Sequence, residues 1–371
     1  MNFDFSDDQK AIKSEARRFL EARCPTTKAR AVLDDPAKSY DAEVWKEVAG
    51  QGWLGAAIPE AYGGLGLGHL ELCVIAEELG RALAPIPFGS TAYFLAEALM
   101  MAGSEAQKQA WLPKIAAGET IGCFASVERP GALTEAQVQS RVENGKLTGA
   151  KLPVTDGDIA DVAVVLARDG GQLSLFLVEL GGAGVTRETL QTLDPTRGVA
   201  KLTFAGAAAE RLGDAGEGLS LAEALLERAA VLLAFEQLGG ADRALEMAKG
   251  YALERYAFGR PIGSYQAIKH KLADMYVKNE LARSTAYYGA WALESGASEL
   301  PLAAAQSRVA ASEAYWNAAK ENLQTHGGIG FTWQMDCHLF YRRAQQLGLV
   351  AGGTKAWKER LVQQLERRNA A

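Results

Sequence analysis

Metal centres and disulfide frameworks need clustered cysteines and histidines, and this sequence of 371 residues has only 4 Cys and 4 His. Cys24, Cys73, Cys123 and Cys337 are widely separated and lack CxxC spacing, which argues against a zinc site and against a disulfide framework. Reduced thiols in the cytoplasm are the simple expectation. His69, His270, His326 and His338 form no ligand cluster along the chain. No apolar run approaches the roughly 20 residues of a membrane span. The start, MNFDFSDDQKAIKSEARRFLEA, is acidic and passes straight into an amphipathic helical pattern, unlike a secretory signal. The formal net charge is -6 with no basic stripe, so nucleic acid is not an expected partner. No Walker lysine follows the glycine-rich stretches, no GxGxxG follows a strand pattern, and no internal repeat is apparent.

What is present is a globular composition, 48% hydrophobic and 23% charged, in a chain longer than one core usually serves. From Ser6 to about Ile115 the sequence reads as helix, in stretches such as SYDAEVWKEVAGQGWLGAA and LELCVIAEELGRALA, broken by the turn-rich IPEAYGGLGLG at 58–68. From about Gly118 to Gly213 short runs rich in Val, Leu and Thr alternate with turn residues: KLTGAKLPVT, ADVAVVLAR, QLSLFLVEL and VAKLTFAG. Helical periodicity then returns to the end, punctuated at FGRPIGS and THGGIG. The order is α, β, α. Such segregation predicts an α+β multidomain protein: an N-terminal helical unit over 1–117, a middle β unit over 118–213 and a C-terminal helical unit over 214–371.

Three motifs stand in this frame: IPEAYGGLGLG, RYAFGRPIGSYQAIKHKLADMY at 255–276, and QTHGGIGFTW at 324–333. Their order and spacing, with the α, β, α layout, resemble the acyl-CoA dehydrogenases over nearly the whole chain. The resemblance implies a β-barrel-like middle domain, a C-terminal four-helix bundle, and FAD held between domains and across a subunit interface. It implies α,β-dehydrogenation of an acyl-CoA thioester to a 2-enoyl-CoA, with a carboxylate as base and electron-transfer flavoprotein as acceptor. By resemblance Gln324, Gly327 and Gly328 lie along the FAD of the neighbouring subunit, Arg255 and Phe258 lie beside its pyrophosphate, and Gln266 lies near its adenosine half. The physical reasons are that glycine lets backbone N–H groups approach an anion, and that a guanidinium donates to phosphate through two hydrogen bonds at once. Read singly, each motif is equally a helix-ending turn or a surface arginine.

The sequence departs from the family at the chemistry. Where the resemblance puts a base in a Tyr-Glu-Gly-Thr loop, VAGGTKAW has Gly352, although Thr354 remains as a flavin contact. A minority of the family carries the base on a helix, and the matching position is Ala229. Glu227 is two residues away, rotated by about 200°. Glu236 is seven residues on, on nearly the same face about 10 Å along the axis. The surrounding AAVLLAFEQLGGA is apolar almost all round and marks a buried helix, so Glu236 is either a desolvated base or the partner of a buried arginine, with Arg197, Arg342 and Arg343 as candidates. In the middle unit FASVERPGALTEAQ puts Ser126 or Val127 at the family's flavin-facing threonine. GAKLPVTDG keeps Thr155 for flavin N5, with Pro153 replacing an aromatic ring. These departures resemble a bacterial branch that includes subunits of heteromeric acyl-CoA dehydrogenases acting on bulky acyl groups such as steroid side chains. The expectations are therefore a catalytic homodimer or tetramer, a non-catalytic or half-site subunit of a heteromer, or an acyl-CoA oxidase.

Overall fold

The computed structural model describes residues 5–370. Its N-terminal part holds helices α1 (Asp7–Arg23), α2 (Thr26–Leu33), α3 (Ala42–Gly50), α4 (His69–Arg81), α5 (Glu97–Ala102) and α6 (Glu105–Ala116). Ser6 starts α1 with a reciprocal capping box to Gln9, and Asp7 and Asp8 complement the N-terminal end of the helix dipole. The helical reading of SYDAEVWKEVAGQGWLGAA holds only as far as Gly50: Gly52 turns left-handed at φ 75°, and a short 3-10 turn follows over Trp53–Gly55. In IPEAYGGLGLG, Gly63 supplies the expected positive φ (78°), whereas a side chain on Gly64 would lie 2.0 Å from the Ile58 carbonyl oxygen. One glycine serves conformation and its neighbour serves close packing. Gly89–Ala96 is wound as a π-helix, running into α5.

The middle part is an eight-stranded sheet of β1 (Gly122–Ala125), β2 (Arg141–Glu143), β3 (Lys146–Thr155), β4 (Val162–Asp169), β5 (Gln172–Glu179), β6 (Val185–Thr189), β7 (Val199–Ala208) and β8 (Glu210–Leu212). Its order is β6-β7-β3-β2-β4-β5-β8, with β1 alongside β4. The β1–β4 and β2–β4 pairs are parallel and the rest antiparallel. The β3–β7 ladder slips between Lys151 and Val154, where Pro153 has no N–H to donate.

The C-terminal part is a helical bundle: α7 (Gly218–Glu254), α8 (Gln266–Glu294), α9 (Leu300–His326), α10 (Cys337–Leu349) and α11 (Thr354–Ala370). A hairpin of β9 (Tyr256–Ala257) and β10 (Arg260–Pro261) follows α7. Helix α7 is buried continuously from Ala229 to Ala241, as its unbroken apolar run requires. It meets α4 backbone to backbone: a side chain on Gly239 would sit 1.7 Å from Glu77 O, and one on Gly80 would sit 1.8 Å from Glu236 O. The four cysteines are free and buried. Among the described residues no helix is long and apolar enough to cross a membrane, and no His, Cys, Asp and Glu group is placed to hold a metal.

Candidate active site

A cavity of about 540 Å³ opens where the three parts meet. Its walls come from the π-helical segment (Ser90, Phe94), from β1 and the loop after it (Phe124, Ser126, Val127), from β3 (Pro153, Thr155) and from the turn between α10 and α11. Pro153 and Thr155, two residues apart on β3, share the face that lines the cavity. The lining is mainly apolar, and its charged members among the described residues are Asp194 and Arg360. Gly352, at φ 96°, and Gly353 line it too, and Thr354 follows as the first residue of α11.

Behind one wall lies a buried ion cluster, each member 5% exposed or less. Arg197 reaches Asp156 at 3.0 Å and Glu236 at 3.4 Å, while Arg343 donates to Asp194 at 2.7 Å and stands 4.0 Å from Glu236. Ser90 closes the chain of contacts by donating to Asp156, and Arg343 also donates to the Thr196 hydroxyl at 2.8 Å. Glu236 is therefore buried, as its segment implies, and two of the three candidate arginines meet it. Arg342 does not: it donates to Leu193 O at 2.5 Å and lies over the Trp333 ring. Glu236 is not a wall residue of the cavity.

Glu227 is not a wall residue either, but it follows Leu226, which is. Burial pushes its carboxyl up to about 7, tempered by the positive charge of Arg360, itself in the wall. On the opposite side Lys151 is fully enclosed, bonded to Glu128 at 2.9 Å and to Ser126 O at 3.4 Å, and burial lowers its ammonium to about 8.

The other sequence-predicted residues lie elsewhere. Arg255, Phe258, Gln266, Gln324, Gly327 and Gly328 are absent from the cavity wall. Phe258 and Gly259 form the two-residue loop of the β9–β10 hairpin, both at positive φ (53° and 81°), and Phe258 is 96% exposed. A bulky residue held left-handed in water is strained without visible return inside the chain. Tyr251, one helical turn before Arg255, stacks on His326 at 4.2 Å, which brings the RYAFG hairpin beside the HGG turn. Gly327 has φ 64° and ψ -144°, open to glycine alone, and a Cβ on it or on Gly328 would meet nothing within 4 Å. The expected turn is a short 3-10 helix over Gly327–Phe331. The turn itself is apolar at the surface, with Ile329 and Phe331 exposed, and Leu253 and Tyr256 are exposed on either side of Arg255.

One chain thus carries two separate places: an enclosed cavity, and an exposed shelf of arginine, aromatic and glycine residues. Comparison with known proteins is decisive here. The acyl-CoA dehydrogenase N-terminal domain is matched over residues 6–119 and the C-terminal domain over 216–365. The chain belongs to the acyl-CoA dehydrogenase family. It is 36% identical to acyl-CoA dehydrogenase IpdE2 of Mycobacterium tuberculosis, over 83% of this chain and 81% of that one. It is 32% identical to the human mitochondrial short-chain specific acyl-CoA dehydrogenase, over 88% and 83% of the two chains. The crystal structure of the ChsE4-ChsE5 complex from M. tuberculosis superposes with a TM-score of 0.90 at 28% identity, covering 99% of each chain. The helical, sheet and helical-bundle arrangement is that of the family.

Acyl-CoA dehydrogenases are FAD flavoproteins, and the two places fit the two ends of such a group. The cavity offers flat apolar walls in Phe124 and Pro153 with hydroxyls at Ser126 and Thr155. The shelf offers unobstructed glycine backbone and the exposed Arg255.

Proposed function

We propose that this chain is a subunit of a FAD-dependent acyl-CoA dehydrogenase that converts a bulky acyl-CoA thioester to its 2-enoyl-CoA, with each flavin site divided between two protomers. The observation that carries this reading is the separation of the cavity from the exposed shelf: each is half of a dinucleotide site, and each lacks what the other has. FAD, when bound, supplies the acceptor for the β-hydride. This chain's residues do the rest. Thr155 and Ser126 would orient the ring edge and Phe124, Pro153 and Leu349 exclude water, with Thr354 next to the wall residue Gly353 as a further contact at the start of α11. Arg255, Gln324, Gly327 and Gly328 hold the diphosphate of the neighbouring protomer's cofactor, with Phe258 and Gln266 covering its nucleotide end. Gly352, in place of a bulkier residue, widens the cavity toward large acyl groups. An electron-transfer flavoprotein takes up the electrons.

Glu227 is the candidate internal base, because it adjoins the wall residue Leu226 and burial raises its carboxyl to about 7, suited to accepting a proton near neutrality. Glu236 is engaged by two guanidinium groups and suits an anchoring role. A second reading, in which a different family chain supplies the base, is favoured by the wall itself: its one carboxylate among the described residues, Asp194, is committed to Arg343.

Purification of the chain alone tests both readings. A yellow protein bleached by acyl-CoA, whose E227Q variant is not bleached, supports the self-contained enzyme. Bleaching only after a second family chain is added supports the shared base. Bleaching that survives in both E227Q and E236Q removes these two carboxylates as bases, and oxygen consumption without an added acceptor marks an oxidase.

A further inference from the structure

We propose that Arg308, in α9, is a positioning residue that fixes the shape of the cavity by gripping the turn between α10 and α11. Arg308 is 1% exposed and, among the described residues, forms no ion pair. Its guanidinium instead donates to Leu347 O, to Val350 O at 2.7 Å and to Gln237 Oε1 at 2.5 Å. Gln237 is in turn held by Ser312, whose hydroxyl lies 3.2 Å from its amide nitrogen.

The last carbonyls of a helix have no partner within the helix, and here a buried cation satisfies two acceptors at the end of α10. Burial lowers the Arg308 guanidinium to about 10, eased by the charge of Glu236. A buried charge without an ion-pair partner is costly, so its hydrogen bonds to Gln237, Leu347 and Val350 must offset the loss of water.

What the cation secures is a turn with few bonds of its own: Val350 N–H donates to Gln346 O at 3.1 Å and Gly352 N–H to Leu349 O at 3.2 Å. Ala351 (φ 59°) and Gly352 (φ 96°) are both left-handed, and α11 begins only at Thr354. Trp357 pins the turn from the other side, its indole N–H donating to Ala351 O at 3.0 Å. Leu349, Val350, Ala351, Gly352 and Gly353 all line the cavity, so movement of this turn is movement of the wall. Arg308 touches none of the space itself and acts through Leu347 and Val350.

The claim about shape stands on these contacts, and its consequence for turnover rests on the function proposed above. The test compares amide hydrogen exchange in the full-length wild type, R308M, R308K and R283M. Arg283 sits in a buried cluster with Glu77 and Asp242, away from the cavity, and R283M controls for lost stability. Exchange over residues 347–353 should be about tenfold or more faster in R308M, intermediate in R308K, and unchanged in R283M. Unchanged exchange there in R308M, or equal acceleration in R283M, overturns the proposal. Should R308M not fold, R308K decides: unchanged exchange over 347–353 overturns it. In turnover, R308K should raise KM for acyl-CoA more than it lowers kcat. Absent turnover in the wild type, both alone and with a second family chain added, would refute the dehydrogenase reading while the exchange result still judged Arg308.

Discussion

Arg197 shows how much one side chain joins. From the loop before β7 it meets Asp156 at the end of β3 and Glu236 in the bundle, while Ser90 of the N-terminal part hydrogen-bonds the same Asp156. R197M would leave the enclosed Asp156 without its cation and Glu236 with the more distant Arg343 at 4.0 Å, so unfolding free energy should fall by about 3–5 kcal/mol, measured in denaturant. The burial of Glu236 was legible in AAVLLAFEQLGGA, because an apolar surround on all sides of a helix needs no knowledge of the partner. Its partners were legible only as a short set of arginines, since Arg197 and Arg343 reach it across long sequence separations that periodicity does not encode. Arg308 was not singled out, although a lone arginine amid AAAQSRVAAS carries the same signal as a lone glutamate. Glu227 gives a pH test. Its folded-state value of about 7 lies above the unfolded value near 4.3, so the folded form binds more protons between these limits and stability falls as pH rises through that window. Thermal midpoints between pH 5 and pH 8 should therefore decline less in E227Q than in the wild type; parallel curves would contradict the raised carboxyl.

Helices α4 and α7 cross so closely that backbone meets backbone at Gly80 and Gly239. This contact sets the depth at which Glu236 sits against the N-terminal part, since the Gly80 position faces the Glu236 carbonyl itself. A methyl group on Gly239 has no room, so G239A should cost about 2–3 kcal/mol or more in denaturant unfolding, against the slight gain expected at an exposed helix position. At this scale helix existence was read correctly from the spacing of Ala and Leu, while local winding was not. The π-helix at Gly89–Ala96 has the apolar text of ordinary helix, and the glycine-rich turn expected at THGGIG is wound as 3-10 over Gly327–Phe331, neither winding being encoded by hydrophobic spacing. The β3 strand was legible from KLTGAKLPVT, whereas the slipped register beside Pro153 was not read from it.

Across the whole molecule, the α, β, α order followed from the change of hydrophobic period, a signal that survives without any knowledge of packing. The split of the flavin-motif residues into an interior set and an exterior set did not follow from periodicity and needed the fold. Thr155 faces the cavity, whereas Phe258 stands 96% exposed on a strained turn, with Leu253 and Tyr256 of the same stretch also in the open. Such a surface is costly for a free monomer and becomes intelligible when a second protomer covers it. The most direct test mixes two disabled copies. R255A damages only the shelf and S126W blocks only the cavity, so each variant alone should hold little FAD. A mixed dimer carries one undamaged cavity facing one undamaged shelf and should recover about one flavin per dimer. A mixed dimer as flavin-poor as its parents, or a wild-type monomer that binds FAD fully, would contradict a site shared between protomers.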